Sequence, residues 1–294
     1  MVDLHLHTYF SDGNISPGDM IKRAVIKGAS VIAITDHDAI DGIPEALDVG
    51  KEYDIHVIPG IELSAGLEDE EPPYGLPDYP GQEVFMHILG YGIDRENEAL
   101  NETIKFLKKE RHQRNVKILM ALHELGFILS PKDLKQRPGQ DYVGKPNFAV
   151  ALAKRGYIEK PSDAFASRDN LRHPNVLAIK RDKLLAKDCI KLIRDAGGKA
   201  VLAHPLKIPF LGRKKPGYFD RLGMLLDQLV DCGLQGLECC YSQHNPEETA
   251  QLVKMGRERE LLITGGSDFH GPGINKVKDV GDFFVPADTT LDIP

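Results

Sequence analysis

Histidine and carboxylate side chains recur where the short apolar runs of this chain end, and that combination is what a divalent-metal centre is made from. The first run ends in His5-Leu6-His7, with Asp12 five residues on, and the second in Thr35-Asp36-His37-Asp38. The third ends in Ile61-Glu62, and the fourth carries Met86-His87. Ala203-His204-Pro205 closes the fifth, Glu238 the sixth with His244 shortly after, and Ser267-Asp268-Phe269-His270 the seventh. Seven of the eleven histidines lie at these ends or just beyond them. A single histidine at a strand end is commonly a hydrogen-bonded structural residue, and an isolated His-x-His carries little weight. The joint pattern is different, because gathering imidazoles and carboxylates at one place is costly unless cations neutralise them. Alternation along a strand puts His5 and His7 on the same face, as two ligands of one ion require. Imidazole and carboxylate without thiolate suit Mn, Fe or Zn, whereas Mg alone favours an oxygen-only shell. Several such ions sharing a carboxylate describe a hydrolase that generates hydroxide near neutral pH and clamps a phosphoryl group.

The elements that must position these groups follow from hydrophobic periodicity. Strands are expected at residues 2–6, 31–35, 56–63, 84–91, 200–203, 234–240 and 261–264, alternating with helix-period stretches in the manner of βα units. Ser16-Pro17-Gly18-Asp19 reads as a helix start that runs to about Gly28. Further helices are expected over 43–53, 183–196 and 246–260. Seven parallel-type strands with helices between them imply a closed or nearly closed α/β barrel, whose active site collects at the C-terminal strand ends.

Two regions break the rhythm. Residues 66–82 read as an acidic loop before the fourth strand. From 96 to 182 a long amphipathic helix (98–125) and shorter pieces at 132–136, 147–155 and 162–166 form a helical insertion over the strand ends. The expected organisation is therefore a barrel from 1–95 and 183–294, capped at its substrate side by 96–182.

Bulk properties narrow the class. With 294 residues, 41% hydrophobic and 28% charged, the chain can bury a substantial core. No run approaches the roughly 20 apolar residues of a membrane span. Met1-Val2-Asp3-Leu4-His5 lacks the pattern of a secretory leader, so a cytoplasmic location is expected. The four cysteines form no CxxC pair and read as reduced thiols. A net charge of −7 has the wrong sign for sequence-independent binding of a DNA duplex, although bound divalent ions would offset much of it.

His5-Leu6-His7-Thr8, Ser11-Asp12-Gly13, Thr35-Asp36-His37-Asp38, Gly60-Ile61-Glu62, Ala203-His204-Pro205 and Gly266-Ser267-Asp268-Phe269-His270 resemble, in order, the motifs of the PHP (polymerase and histidinol phosphatase) superfamily. Residues 84–91 and the helical insertion are similar to the bacterial branch with 3′,5′-nucleoside bisphosphate phosphatases and 5′→3′ exoribonucleases. The resemblance implies a distorted (β/α)7 barrel holding three divalent metal ions. It allocates His5, His7, Glu62 and Asp268 to the first ion and Asp12, His37 and His270 to the second. Glu62 would bridge to a third, held also by His87 and His204. Implied partners are a small phosphorylated nucleotide, with short 5′-phosphorylated RNA as a second substrate, and neither a DNA duplex nor a membrane.

Substrate contacts are expected from the insertion. Arg111, His112 and Arg114 fall where the family has a basic cluster, and arginine suits bidentate phosphate recognition. Gly144-Lys145-Pro146-Asn147 stands where the family usually reads Gly-Arg-Pro-His, which makes Lys145 and Asn147 candidates that depart from the pattern. Asp12 and His37 are candidate catalytic groups at the ions, and His244 is the candidate proton donor. Glu238 reads equally as an acid orienting a ligand histidine or as a plain strand-end residue. Rivals are a phosphatase for histidinol phosphate or another small monoester, an amidohydrolase, and a non-catalytic partner module. Amidohydrolase barrels generally bridge their metals with a strand-borne lysine or use a different order of histidines, whereas here the bridging candidate is Glu62 and Lys51 falls in a helix-period stretch.

Overall fold

A computed structural model describes residues 1–67, 86–135, 137 and 140–294. Among them, eight strands form one sheet: β1 (Val2–Leu6), β2 (Val31–Ile34), β3 (His56–Gly66), β4 (Met86–Tyr91), β5 (Leu184–Leu185), β6 (Lys199–Leu202), β7 (Gly236–Tyr241) and β8 (Leu262–Gly266). The spatial order is β1-β2-β3-β4-β6-β7-β8, with the two-residue β5 attached to β3. The sheet closes at its rim, where the His7 N–H donates to Phe269 O (3.0 Å) and the Asp268 N–H to His5 O (2.9 Å). Gly266 permits that closure, since a Cβ there would stand 2.3 Å from the Cβ of His5. An apolar cluster of Leu4, Ala33, Ile58, Leu89, Tyr91, Val201 and Ala203 draws on β1, β2, β3, β4 and the end of β6.

One expectation about direction is corrected. Most neighbouring strands are parallel, but β4 runs antiparallel to both β3 and β6. His87 therefore stands at the beginning of its strand, not at its C-terminal end. Reversal brings it to the same rim: His87 sits opposite Ser64, beyond Glu62 on β3.

The helices are α1 (Pro17–Ile26), α2 (Ile43–Glu52), α3 (Glu98–Glu124), α4 (Lys145–Lys154), α5 (Pro174–Leu177), α6 (Ala186–Asp195), α7 (Tyr218–Asp231) and α8 (Pro246–Arg257). Ser16 caps α1 by accepting from the Asp19 N–H, and Asn245 forms a capping box with Glu248 on α8. α7 is an element the sequence reading did not expect. It buries Leu222, Leu225, Leu226 and Leu229, but it starts at Gly217 with no side-chain cap. Residues 131–134 form turns where a helical piece was expected. The acidic loop at 66–82 lies, apart from its first two residues, outside the described residues, as do the first two positions of the expected fourth strand.

Between β4 and β5 the helical segment carries an apolar cluster of its own, including Ile118, Leu122, Phe148, Leu152, Leu171 and Val176. No described helix is long and apolar enough to cross a membrane.

Candidate metal centre

Glu62, fully buried on β3, is the hub of the site. Its Oε2 lies 3.3 Å from His5 Nε2, 3.1 Å from His7 Nε2 and 2.9 Å from His37 Nδ1. Its Oε1 lies 2.7 Å from His87 Nδ1 and 2.9 Å from His204 Nε2. The Nε2 atoms of His5 and His7 approach to 3.0 Å, with Asp268 Oδ1 at 3.5 and 3.3 Å. Asp12 faces His270 Nε2 at 3.2 Å and His37 Nε2 at 3.7 Å. All nine residues expected as ligands thus meet at one rim. Their donor atoms fall into four overlapping groups, each within 4.8 Å: His7, Asp12, His37 and His270; His5, His7 and Asp268; His5, Glu62 and His204; His37, Glu62 and His87. The set expected at the third ion is divided between the last two groups, with Glu62 common to both.

Donor chemistry fits divalent cations. Asp12 Oδ1, Glu62 Oε2, His37 Nδ1 and His204 Nδ1 are buried without a hydrogen bond; His37 Nδ1 and Glu62 Oε2 are close but misaligned for one. Burial resists the Glu62 anion, yet His87, His37 and His5 hold it well below the usual carboxylate range. Burial likewise resists charge on His7, yet Asp268 and Glu62 push its imidazole up to about 10. The neighbouring carboxylates thus favour positive charge at His7. His204 goes the other way, pushed down to about 3 by burial and by Lys207, which leaves an imidazole with a free lone pair.

Beside the ligands opens a cavity of about 600 Å³. His37 and His87 contribute to its wall together with Arg111, Arg114, Lys145 and Arg181. Asp38, next to His37 in sequence and at φ +48°, turns the other way and receives both Arg111 Nη2 and Arg181 Nη2, the latter at 3.1 Å. Burial opposes the Asp38 charge, but Arg111 and Arg181 lower its pKa. Arg111 Nε and Arg181 Nη1 remain buried without a partner. Arg114 hydrogen-bonds Asn115 Oδ1 at 2.8 Å and has no ion pair among the described residues. Burial and then Arg111 and Arg181 bring it down to about 10, so it is still a cation at neutral pH.

A family model described as the PHP domain matches residues 3–157. The chain belongs to the PHP family. Three similar proteins extend the match along this PHP chain. One is a phosphoribosyl 1,2-cyclic phosphate 1,2-diphosphodiesterase of Eggerthella lenta, 30% identical over 97% of this chain and 99% of that protein. A 5′-3′ exoribonuclease of Haemophilus influenzae is 28% identical over 97% and 96%. A 3′,5′-nucleoside bisphosphate phosphatase of Chromobacterium violaceum is 27% identical over 95% and 90%. A solved structure from Bifidobacterium adolescentis, described as a metal-dependent phosphoesterase, has a TM-score of 0.78 at 27% identity, covering 98% of this chain and 93% of that one. The PHP chain is accordingly a hydrolase, a metal-dependent phosphoesterase.

The remaining site residues of this PHP protein sort by what they touch. Glu238 is buried, with Oε1 2.8 Å from His5 Nδ1 and Oε2 accepting from the His204 N–H at 2.6 Å. The Glu238 contact fixes the His5 tautomer that leaves Nε2 for a metal. Asp36 accepts from the Thr8 N–H and from the hydroxyls of Thr8 and Ser11, tying down the loop that carries Asp12. His244 donates from Nδ1 to Cys239 O at 2.9 Å, and burial pushes its imidazole down to about 4. In that state its Nε2 offers a lone pair and not a proton.

Among the expected substrate residues, Arg111, Arg114 and Lys145 line the cavity beside the ligands. His112 lines a neighbouring cavity, and Asn147 is buried with its Oδ1 accepting from the Gly144 N–H at 2.8 Å, a bond from the first turn of α4 back to its glycine N-cap. Two residues were missed from sequence. Arg181 sits in the run Lys180-Arg181-Asp182-Lys183 at the close of the insertion, a charge cluster that could have drawn notice. Lys207 follows His204-Pro205-Leu206 and reaches Asp268 Oδ2 at 3.0 Å and the Tyr241 hydroxyl at 2.6 Å.

Proposed function

We propose that this phosphoesterase hydrolyses the 3′-phosphate of nucleoside 3′,5′-bisphosphates and acts on short 5′-phosphorylated RNA at the equivalent bond. The carrying observation is a single cavity in which metal-ligand histidines share a wall with Arg111, Arg114 and Arg181. A substrate with two phosphates places one at the ligand cluster and the other on the guanidiniums. The ligand set is assigned as His5, His7, Glu62 and Asp268; Asp12, His37 and His270; and Glu62 with His87 and His204. These sets would hold three ions drawn from Mn, Fe or Zn, and residues 96–182 would act as the substrate cap. Bound divalent ions supply an activated water and neutralise charge on the transferring phosphoryl group.

The chain's own residues do the rest. Glu238 orients His5, and Asp36 steadies the Asp12 loop. Arg111 and Arg181 are held by Asp38 and direct their remaining N–H groups at a phosphate, and Arg114 adds an unpaired charge. Lys207 places a cation beside Asp268 and the Tyr241 hydroxyl.

A second reading is supported by the Eggerthella relative, whose substrate also carries two phosphoryl groups: a cyclic phosphodiester of a phosphorylated pentose. Metal-replete protein should be assayed against a nucleoside 3′,5′-bisphosphate, a 5′-phosphorylated trinucleotide, phosphoribosyl 1,2-cyclic phosphate and histidinol phosphate. Preference for the bisphosphate, abolished by chelation and restored by metal, supports the first reading. Preference for the cyclic ester selects the second, and preference for histidinol phosphate overturns both.

A further inference from the structure

A second cavity, of about 500 Å³, lies on the far side of Arg111 and Tyr142 from the metal centre. Those two side chains line both cavities, which places the two spaces side by side. The Tyr142 ring stacks on His37 (6.2 Å between centroids, 19° between planes), and Arg111 Cζ sits 4.1 Å from the centroid of the same ring. Arg111, His112, Asn115, Val116 and Leu119 reach this cavity at three- and four-residue steps along α3, so one helical face forms its wall. Opposite stand Pro131, Leu134 and Phe10.

The chemistry of the lining is that of a nucleotide site. Leu119 and Leu134 give a buried apolar floor, and the half-buried Phe10 offers an aromatic face. At the mouth, Lys108 is neutralised by Asp41 (2.9 Å) and Asp141 (3.4 Å). Lys109 and Lys135 are exposed and make no ion pair among the described residues. An apolar floor with cations at its rim suits a base joined to a phosphodiester. The size falls in the range of roughly 300–1,000 Å³ usual for small-ligand sites.

We infer that this cavity holds the second nucleotide of a 5′-phosphorylated RNA whose first nucleotide occupies the cavity beside the metal ligands. The inference rests on the proposed function and extends it to the part of the substrate beyond the scissile bond. Water oxygen adds to the phosphorus between the two nucleotides and the P–O3′ bond breaks. The 3′ oxygen leaves with a proton as the hydroxyl of a 5′-mononucleotide, and the phosphate stays on the second nucleotide as its new 5′-phosphate. A 3′,5′-bisphosphate breaks the same bond but leaves the second cavity empty.

The test uses Val116→Trp, which fills the cavity from an exposed helix position, and the double variant Lys109→Glu/Lys135→Glu, which reverses the rim charge. In metal-loaded enzyme, each should lower kcat/KM for the 5′-phosphorylated dinucleotide pApA by about tenfold, the scale of one lost base contact, while adenosine 3′,5′-bisphosphate changes by no more than about twofold. Binding of a fluorescent 5′-phosphorylated trinucleotide to metal-free protein, read by anisotropy, should weaken by a similar factor. Equal losses on both substrates, or unchanged trinucleotide binding, overturn the assignment. Turnover of the bisphosphate with none of the dinucleotide overturns the second site alone. Turnover of neither by the wild type sinks the proposed function, and the anisotropy series then decides the cavity on its own.

Discussion

His37 and Asp38 are consecutive residues that serve two opposite electrostatic regions. His37 turns into the ligand cluster, where carboxylates and imidazoles crowd a buried space and several donor atoms have no partner. Asp38 turns into the guanidinium wall, where Arg111 and Arg181 share one carboxylate supplied by the protein itself. The first region is complete only with cations taken from solution. The second is only partly neutralised by the protein, two guanidiniums to one carboxylate, and keeps buried N–H groups without a partner. The difference teaches how one barrel rim can hold a cluster suited to metals and, on the proposed reading, a site for phosphate side by side. Each polarity is stabilised separately, so neither collapses onto the other.

The comparison can be broken most forcefully at its metal half. Glu62→Gln keeps the shape of the hub but removes its bridging charge. Activity should fall on the order of a thousandfold, the effect of losing several kcal/mol of metal-supplied stabilisation, with a parallel drop in bound metal by elemental analysis. Full metal content and full activity would remove Glu62 from the hub. On the cationic half, Asp38→Asn leaves two buried guanidiniums sharing a neutral partner. Unfolding by denaturant should show a loss of about 3 kcal/mol, together with a raised KM for the bisphosphate. An unchanged midpoint would mean that the wall does not depend on its carboxylate. Glu238→Gln sharpens the metal half, weakening metal affinity by roughly 10- to 100-fold without unfolding the barrel. The smallest effect is expected at Asn147→Ala, which removes a helix cap: about 1 kcal/mol of stability and no change in KM. A clear rise in KM there would return Asn147 to the substrate.

The clustering of these side chains could be read before any fold was known, because His5, His37, Glu62, His204 and Asp268 all interrupt or end apolar runs where such groups are costly without cations. The direction of β4 could not. Alternation of side chains is the same read forwards or backwards, and only the connection decides it. α7 escaped for a different reason: its leucines repeat at helical spacing, but it opens after Gly217 in a left-handed turn with no side-chain cap to mark the start. Arg181 looked like one charge among several, since the carboxylate that gives it a role, Asp38, is 143 residues away in sequence. His112 and Arg111 illustrate the precision of a helical face: one residue of rotation separates the wall of one cavity from that of two.

The reversed β4 also bears on how this molecule tolerates variation. Ala65 and Met86 are paired neighbours across the ladder, so the stretch joining them departs from and returns to adjacent points at the mouth of the barrel. Closing a longer loop between fixed, adjacent ends costs only about 0.6 kcal/mol per doubling of length. Insertions or deletions at this junction should therefore leave the thermal midpoint of the barrel nearly untouched, which makes it the natural place to lengthen, shorten or graft a segment without rebuilding the scaffold.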